Sequence, residues 1–235
     1  MSNSYFQFKR FIVNQESCAM KVSTEACILG AWANAHDPQK ILDIGAGTGL
    51  LSLMTVQNHL CSVDAVELEP NAALQAKENF LNSPWKDSLH LIQSSIQDYS
   101  KGCQTKYDLI ISNPPFYKNS LKSENESTNQ ARHDASLSKD DLIEAIKKLR
   151  SNSGIAYILL PEREAEEIKI LATEANLQNK DSLIIKNRIE TPIFRKIIAL
   201  GDIENLDTEE LVIRYDNGNY TELFKHLMQP FYLDL

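Results

Sequence analysis

The segment Lys40–Leu53, KILDIGAGTGLLSL, decides the fold. It starts with an apolar run typical of a buried β-strand and ends with one typical of the start of a helix. Between them, Gly45, Gly47 and Gly49 allow a tight turn and a close approach to a ligand, because glycine has no Cβ. This order predicts a nucleotide-cofactor loop in an α/β fold. Leu50 stands where a dinucleotide fingerprint carries its third glycine, so a dinucleotide loop is not predicted.

Two acidic residues follow the glycine-rich loop at the ends of later apolar runs. The run Ser62–Val66 ends in Glu67, whose carboxylate is suited to accept hydrogen bonds from both hydroxyls of a ribose. A third run, Leu89–Ile92, is followed by Asp98, which we expect to contact an adenine amine. Each acid alone is typical of a solvated strand end. Their order behind the loop strengthens the prediction of a nucleotide-type cofactor.

The motif Asn113-Pro114-Pro115-Phe116 follows the apolar run Tyr107–Ser112. Asparagine offers a side-chain oxygen as an acceptor, and each proline lacks a donor but keeps its carbonyl. Phe116 or the adjacent Tyr117 is suited to cover a ring. The motif therefore predicts a site for a flat substrate that bears an amine. Taken in isolation, the same residues are also typical of a strand end followed by an ordinary loop.

Together these motifs resemble the class I S-adenosylmethionine-dependent methyltransferases. That group has a glycine loop, a ribose-binding acid, an adenine-binding acid and an NPPF or NPPY motif in this order, and the last motif narrows it to enzymes that methylate planar nitrogens. Further segments are similar to the bacterial tRNA(Val) adenine-N6 methyltransferase family. They are Phe6–Phe11, Cys18–Glu25, Leu29–Ala33 and Phe231–Leu233. Ser23 and Glu25 depart from the glycine and aspartate that this resemblance leads us to expect.

The resemblance implies a Rossmann-like α/β fold with a mostly parallel, doubly wound sheet and a C-terminal antiparallel hairpin, Lys180–Lys186 with Phe194–Leu200. It also implies a single methyltransferase domain over residues 1–235, with residues 1–36 as an extension that covers the cofactor and substrate site. The expected cofactor is S-adenosyl-L-methionine. Its implied binding residues are Lys21, Thr24, Asp43, Gly45, Gly47, Thr48, Gly49, Glu67, Asp98 and Asn113.

The function implied is N6-methylation of an adenine in tRNA, at the anticodon-loop adenine next to the anticodon of tRNA(Val). The catalytic residues are then Asn113, Pro114 and Phe116, since two acceptors on the amine favour a pyramidal nitrogen and an aromatic ring stacks on the base. Tyr117 is the alternative stacking residue. The same motif also suits a protein glutamine-amide methyltransferase, an RNA guanine methyltransferase or an enzyme of small molecules. A non-catalytic binding module is disfavoured by the intact set of site residues.

The net charge of −8 argues at first against an RNA partner, because phosphate binding draws on lysine and arginine. Net charge averages over the whole surface, however, and basic residues recur near the motifs. Lys9 and Arg10 lie near the N-terminus, and we expect them at the mouth of the pocket. The predicted substrate-binding residues are Phe116, Tyr117, Lys118, Lys122 and Arg132. The polar stretch Tyr117–Arg132 predicts a mobile loop beside the site.

Composition sets the remaining expectations. The chain has 235 residues, 43% of them hydrophobic, which suits one sizeable α/β domain. It lacks an apolar secretion signal and any run of membrane-spanning length, and its four cysteines show no CxxC spacing. We expect a cytoplasmic protein without a metal, a monomer with tRNA as its partner. The predicted helices are 24–35, 50–58, 71–81, 138–149 and 162–175, with a strand at 154–160.

Overall fold

The computed structural model describes residues 3–18, 20–35, 37–114, 137–201, 203–204 and 206–235. Several predicted substrate residues and the predicted mobile loop therefore lie outside the described residues. These are Phe116, Tyr117, Lys118, Lys122, Arg132 and the stretch Tyr117–Arg132. In the described part of the chain, no helix is long and apolar enough to cross a membrane. The same residues contain no group of three or more His, Cys, Asp or Glu side chains placed to hold a metal ion.

Strands and helices alternate through most of the described chain. The strands are β1 (Tyr5–Gln7), β2 (Ile12–Asn14), β3 (Lys40–Ile44), β4 (Ser62–Glu67), β5 (Leu89–Gln93), β6 (Tyr107–Ser112), β7 (Arg150–Leu160), β8 (Asn179–Lys186), β9 (Ile193–Gly201) and β10 (Glu209–Val212). The helices are α1 (Thr24–Trp32), α2 (Leu50–His59), α3 (Pro70–Leu81), α4 (Ile96–Gly102), α5 (Lys139–Leu149), α6 (Glu162–Glu174) and α7 (Glu222–Met228).

One sheet of eight strands organises the molecule, in the order β10-β8-β9-β7-β6-β3-β4-β5. All neighbours pair in parallel except β7 with β9 and β8 with β9. The prediction of a mostly parallel sheet with a C-terminal antiparallel hairpin is thereby confirmed. Because β9 runs against both neighbours, β8 and β10 point in the same direction as β7. The carboxyl ends of all parallel strands, and the turn between β8 and β9, therefore lie at the same end of the sheet. This end is called the carboxyl edge below.

Several elements differ from the sequence prediction. Helix α1 ends at Trp32 rather than near Ala35, β7 begins at Arg150 rather than at Gly154, and α4, α7 and β10 were not predicted. Helix α4 has only 7 residues with one fully buried side chain, Ile96, so it shows little apolar periodicity. Strand β10 is the outermost strand on one side of the sheet, and it begins with exposed Glu209 and Glu210. No alternating apolar pattern is required at such a position.

The sheet is buried on both faces, which explains its nearly continuous apolar strands. In β3, Ile41 faces one core cluster while Leu42 and Ile44 face the other. Helices α1, α2, α3 and α7 contribute to the first cluster, and α4, α5 and α6 to the second. Each fully buried isoleucine or leucine stabilises the fold by roughly 1.5–3 kcal/mol. This packing fixes the strands whose ends carry the predicted site.

Helix α1, which follows the N-terminal segment, packs closely against α2 at Gly30. A Cβ atom at this position would lie 2.8 Å from Met54 Sδ and 2.9 Å from Met54 Cβ. Glycine therefore permits an approach of the two helices that any larger residue would obstruct. The contact ties the segment before α1 to the helix that starts at the glycine loop.

Gly30→Ala is expected to lower the free energy of unfolding by about 1–3 kcal/mol, because an added methyl overpacks a tight core contact. Chemical denaturation monitored by circular dichroism measures the change. Gly102→Ala is the matched control, since a Cβ there meets nothing within 4 Å. That control should leave stability unchanged or slightly higher, because alanine favours helices. Equal midpoints for wild type and Gly30→Ala would contradict the proposed close contact.

Candidate cofactor and substrate site

The parallel register brings three strand ends together. Ile44 of β3 pairs with Val66 of β4 on one side and with Ser112 of β6 on the other. Neighbouring strands lie about 4.7–4.9 Å apart, so the residues that follow these positions leave the sheet side by side. Those residues are Gly45, Glu67 and Asn113. The register thus unites the predicted glycine loop, the ribose-binding acid and the amine-binding motif at one edge.

The three glycines of the loop have different roles. Gly45, Gly47 and Gly49 all adopt positive φ, at 76°, 56° and 79°. A Cβ at Gly45 or Gly47 would meet nothing within 4 Å, so the backbone there faces open space in which a ligand can approach. A Cβ at Gly49 would lie 2.4 Å from Phe80 Cε1. Gly49 is therefore required for packing against α3, whereas the other two leave a surface for a ligand.

Glu67 braces the glycine loop. Its Oε2 atom accepts a hydrogen bond of 2.7 Å from the Gly47 N–H, and its Oε1 atom accepts one of 2.8 Å from the Glu69 N–H. A carboxylate has about four acceptor positions, so two remain for other donors. The side chain is partly exposed at the carboxyl edge. This is the placement that a ribose-binding acid needs.

Asp43 supplies a buried acceptor directly below the loop. Its Oδ2 atom accepts hydrogen bonds from Ser52 N, at 3.1 Å, and from Ser52 Oγ, at 2.7 Å. Its Oδ1 atom has no partner among the described residues. Burial raises the pKa of Asp43 to about 7. An unpaired buried acceptor is costly, so Oδ1 fits a site completed by a donor from a ligand.

The predicted adenine-binding acid, Asp98, lies in the first turn of α4 rather than at the strand end. Its carboxylate receives hydrogen bonds from Ser95 Oγ at 2.9 Å and from Lys101 Nζ at 2.9 Å. The hydrogen bond from Lys101 lowers the pKa of Asp98. The side chain is 69% exposed. Its role toward adenine stays a prediction, and these two contacts compete with it.

Hydrogen bonds around Lys21 and Ser23 hold the end of the N-terminal segment and the start of α1. Lys21 Nζ donates to the carbonyl of Gln15, whose side-chain Oε1 accepts from the Val22 N–H at 2.8 Å. Ser23 caps α1, which begins at Thr24, because its hydroxyl accepts a hydrogen bond of 3.3 Å from the Ala26 N–H. The serine that departs from the family's glycine therefore stabilises the first turn of α1. That residues 1–36 cover the site stays a prediction.

Asn79 of α3, which the sequence analysis did not identify, connects this segment to the glycine loop. Its Nδ2 atom donates to the carbonyls of Asn14 and Thr48, both at 2.9 Å. Its Oδ1 atom accepts from the Asn14 N–H at 2.9 Å. The residue is 1% exposed. Four positions earlier, the buried Gln75 accepts from the Ser17 N–H at 3.3 Å, so two amides spaced i, i+4 on an apolar helix face were the available signal.

The start of the aromatic motif is held against β3. Ser112 Oγ donates to the Ile44 carbonyl at 2.8 Å, which fixes the chain just before the motif. Asn113 is partly buried and Pro114 is buried. Pro115 and Phe116 lie outside the described residues.

Lys9 and Arg10 do not lie at this edge, contrary to expectation. Lys9 Nζ donates to the carbonyl of Gln229 at 2.7 Å. The Arg10 guanidinium lies 5.0 Å from the ring centroid of Trp85, which precedes the amino end of β5. The aromatic contact therefore holds Arg10 toward the amino ends of the strands, away from Glu67 and Asn113.

Comparison with known proteins identifies the family. A family model described as "Methyltransferase small domain" matches residues 23–148. A tRNA1(Val) (adenine(37)-N6)-methyltransferase of Cytophaga hutchinsonii is 42% identical over 239 residues, which cover 100% of both chains. Proteins of the same name from Parabacteroides distasonis and Aeromonas salmonicida are 36% and 37% identical, covering 100% and 99% of each chain. The chain belongs to the tRNA1(Val) (adenine(37)-N6)-methyltransferase family.

Solved structures of lower identity show the family's fold. A predicted O-methyltransferase from Agrobacterium tumefaciens superposes with a TM-score of 0.66 at 15% identity, covering 87% of this chain and 95% of that one. The TYW2 protein of Pyrococcus horikoshii, in complex with MeSAdo, gives a TM-score of 0.55 at 15% identity, with 85% and 70% covered. The Rossmann-like methyltransferase fold predicted from the sequence is confirmed.

Asn79→Ala is expected to destabilise the connection between the N-terminal segment and the glycine loop. It leaves one N–H and two carbonyls unpaired, and each unsatisfied buried group costs about 1–3 kcal/mol. Hydrogen–deuterium exchange should accelerate at the Asn14 amide and in residues 45–49. Asn71→Ala is the control, because Asn71 is an exposed amide on the same helix. Equally slow exchange in wild type and Asn79→Ala would show that Asn79 does not hold the N-terminal segment to the glycine loop.

Proposed function

We propose that this protein transfers a methyl group from S-adenosyl-L-methionine to N6 of the anticodon-loop adenine next to the anticodon of tRNA(Val). The observation that carries the proposal is the register that places Gly45, Glu67 and Asn113 at one edge of the sheet. Relatives that are 36–42% identical over the full chain and bear the name of this activity support the choice of substrate.

The residues at the first two strand ends fit the cofactor. The open backbone at Gly45 and Gly47 admits a ligand, and Glu67 retains acceptor positions for two ribose hydroxyls. The unpaired Oδ1 atom of Asp43 suits a donor group. Lys21, Thr24, Thr48 and Asn113 complete the proposed set, with Gly49 shaping the loop and Asp98 proposed on the adenine side. When bound, S-adenosyl-L-methionine supplies a methyl group that is activated by a positively charged sulfonium.

The residues at the third strand end hold the substrate amine. The exocyclic nitrogen of adenine is a poor nucleophile because its lone pair is delocalised into the ring. The Asn113 side-chain oxygen and the Pro114 carbonyl accept hydrogen bonds from its two N–H groups and thereby favour a pyramidal nitrogen. Phe116 stacks on the base, with Tyr117 as the alternative. Correct alignment of the amine supplies much of the rate. No strong base is required, since the nitrogen becomes acidic after the transfer.

The target base must leave its stack to reach Asn113. Extrusion costs least for a base that is not in a duplex, which favours a loop adenine over a paired one. Lys118, Lys122 and Arg132 are proposed to contact phosphates of the same RNA. Such contacts position the RNA, while the pocket at Asn113 reads the base.

Liquid chromatography with mass spectrometry of tRNA(Val), from cells with and without the protein, tests the substrate. The proposal expects N6-methyladenosine next to the anticodon only when the protein is present. A modified guanine, or methylated peptide glutamine with unmodified tRNA, would assign the chain to another substrate class.

Asn113→Ala is expected to lower kcat for methyl transfer to a tRNA(Val) transcript by about 10²–10³-fold, the usual effect of removing one preorganised transition-state partner. Affinity for S-adenosyl-L-methionine should change little. Single-turnover kinetics and calorimetry measure the two quantities. Asn152→Ala is the control, because Asn152 is an exposed asparagine near the amino end of β7, away from the site. A single-turnover rate of Asn113→Ala near that of wild type would exclude the acceptor role.

A further inference from the structure

Arginine is concentrated in one late part of the chain. The sequence has seven arginines, and Arg188, Arg195 and Arg214 fall within 27 residues. Arg188 lies in the turn between β8 and β9, and Arg195 lies on β9. Arg214 follows β10, and its N–H donates to the Asn187 carbonyl at 3.0 Å. The fold therefore brings all three into one region.

This region lies at the same edge of the sheet as Asn113. Lys196 of β9 pairs with Leu160 at the carboxyl end of β7, so Arg195 lies just beyond that end. Strand β9 is separated from β6 by β7 alone, which sets a lateral spacing of about 10 Å from two strand intervals. The turn after β8 and the chain after β10 continue the edge outward. The three arginines thus lie along the carboxyl ends of the strands, in a row that begins beside the proposed substrate pocket.

Contacts with Phe194 orient the Arg195 side chain, whereas its acidic neighbour Glu25 lies beyond hydrogen-bond distance. Its guanidinium lies 4.5 Å from the ring centroid of Phe194, and Nη1 donates to the Phe194 carbonyl at 2.8 Å. Nη2 lies 3.9 Å from Glu25 Oε1, which is longer than a hydrogen bond. The side chain is 31% exposed. Because guanidinium carries five N–H groups, several donors remain for a phosphate.

Arg214 repeats this pattern at the surface. The Arg214 guanidinium stacks 3.8 Å from the centroid of Tyr220, and its Nη1 donates to the Gly218 carbonyl at 2.6 Å. Arg188 is exposed, and no carboxylate of the described residues forms an ion pair with it. The neighbouring Ile189 and Tyr215 are 54% and 40% exposed. Cations interleaved with exposed apolar and aromatic groups suit a nucleic-acid surface.

The local charge balance differs from that of the whole chain. Lys186 joins the three arginines, and the nearby acids are Glu25, Glu190, Glu210 and Asp216, with Glu210 paired to Lys186 at 2.8 Å. The region is therefore about neutral, although the net charge of the protein is −8. An acidic surface repels a polyanion, so a polyanion favours a region in which basic side chains offset the acids.

We propose that Arg188, Arg195 and Arg214 form a phosphate-binding edge that docks the RNA strand flanking the base held at Asn113. The inference rests on the proposed function, because it assigns the docking path of that substrate. Arginine suits this task since its planar, forked donors match phosphate oxygens. These contacts set the register of the RNA and leave recognition of the base to the pocket.

Charge reversal of two arginines tests the edge. Arg188→Glu with Arg195→Glu is compared with Lys147→Glu plus Lys148→Glu, which changes the net charge equally. Lys147 and Lys148 are exposed in the last turn of α5, next to the amino end of β7 and hence at the opposite edge. Fluorescence anisotropy with a labelled tRNA(Val) transcript at several salt concentrations gives the Kd and the salt slope. Calorimetry gives the affinity for S-adenosyl-L-methionine.

The arginine pair should raise the Kd for tRNA about tenfold or more and make the log–log salt slope shallower by roughly 0.7–0.9 per lost contact. The lysine pair should change both much less, and cofactor affinity should stay constant. Equal weakening by both pairs, or no weakening, would overturn the edge. Arg188→Glu alone, in an exposed turn, repeats the test if the double variant does not fold.

Failure of this inference can be told apart from failure of the proposed function. If wild type binds tRNA through the arginines without methylating it, the edge stands and the proposed reaction fails. If wild type methylates tRNA with a Km that neither arginine affects, the reaction stands and the edge is excluded. A wild-type protein that does not bind tRNA at any salt concentration would also overturn the edge.

Discussion

The parallel register at Ile44 is the constraint on which the rest of the structure depends. Pairing with Val66 and Ser112 makes three chain segments leave the sheet at the same level. A slip of one residue in either neighbour would turn its side chains to the opposite face and displace the group that follows. Burial on both faces opposes such a slip, because each strand would lose its core contacts. The apolar core thus fixes the geometry of a polar site that lies at its end.

The polar contacts around the glycine loop connect that geometry to ligand binding. Glu67 holds the loop from β4, Asn79 holds it from α3, and Asp43 lies beneath it with one oxygen unpaired. Buried polar groups stabilise a fold only when their hydrogen bonds are complete. The unpaired oxygen of Asp43 and the two free acceptor positions of Glu67 mark the part of the loop that is prepared for a ligand, whereas the contacts of Asn79 are purely structural.

The sequence alone predicted the sheet, the glycine loop and the strand ends, because apolar runs and glycine positions are local signals. It did not reveal Asn79, whose partners at Asn14 and Thr48 are distant along the chain. Arg10 was assigned to the wrong end because its contact with Trp85 depends on how the antiparallel pair of β1 and β2 packs against the rest of the chain. Gly49 was correctly placed in the loop, but its packing against Phe80 could not be inferred from the pattern.

Calorimetric titration of Glu67→Gln with S-adenosyl-L-methionine tests the central claim that the first two strand ends form the cofactor site. The amide places a donor where the carboxylate accepts from the loop and from the ribose, so affinity should fall by about 1–3 kcal/mol. Circular dichroism of the same sample shows whether the fold is retained. A folded Glu67→Gln protein that binds S-adenosyl-L-methionine as tightly as wild type would contradict the account.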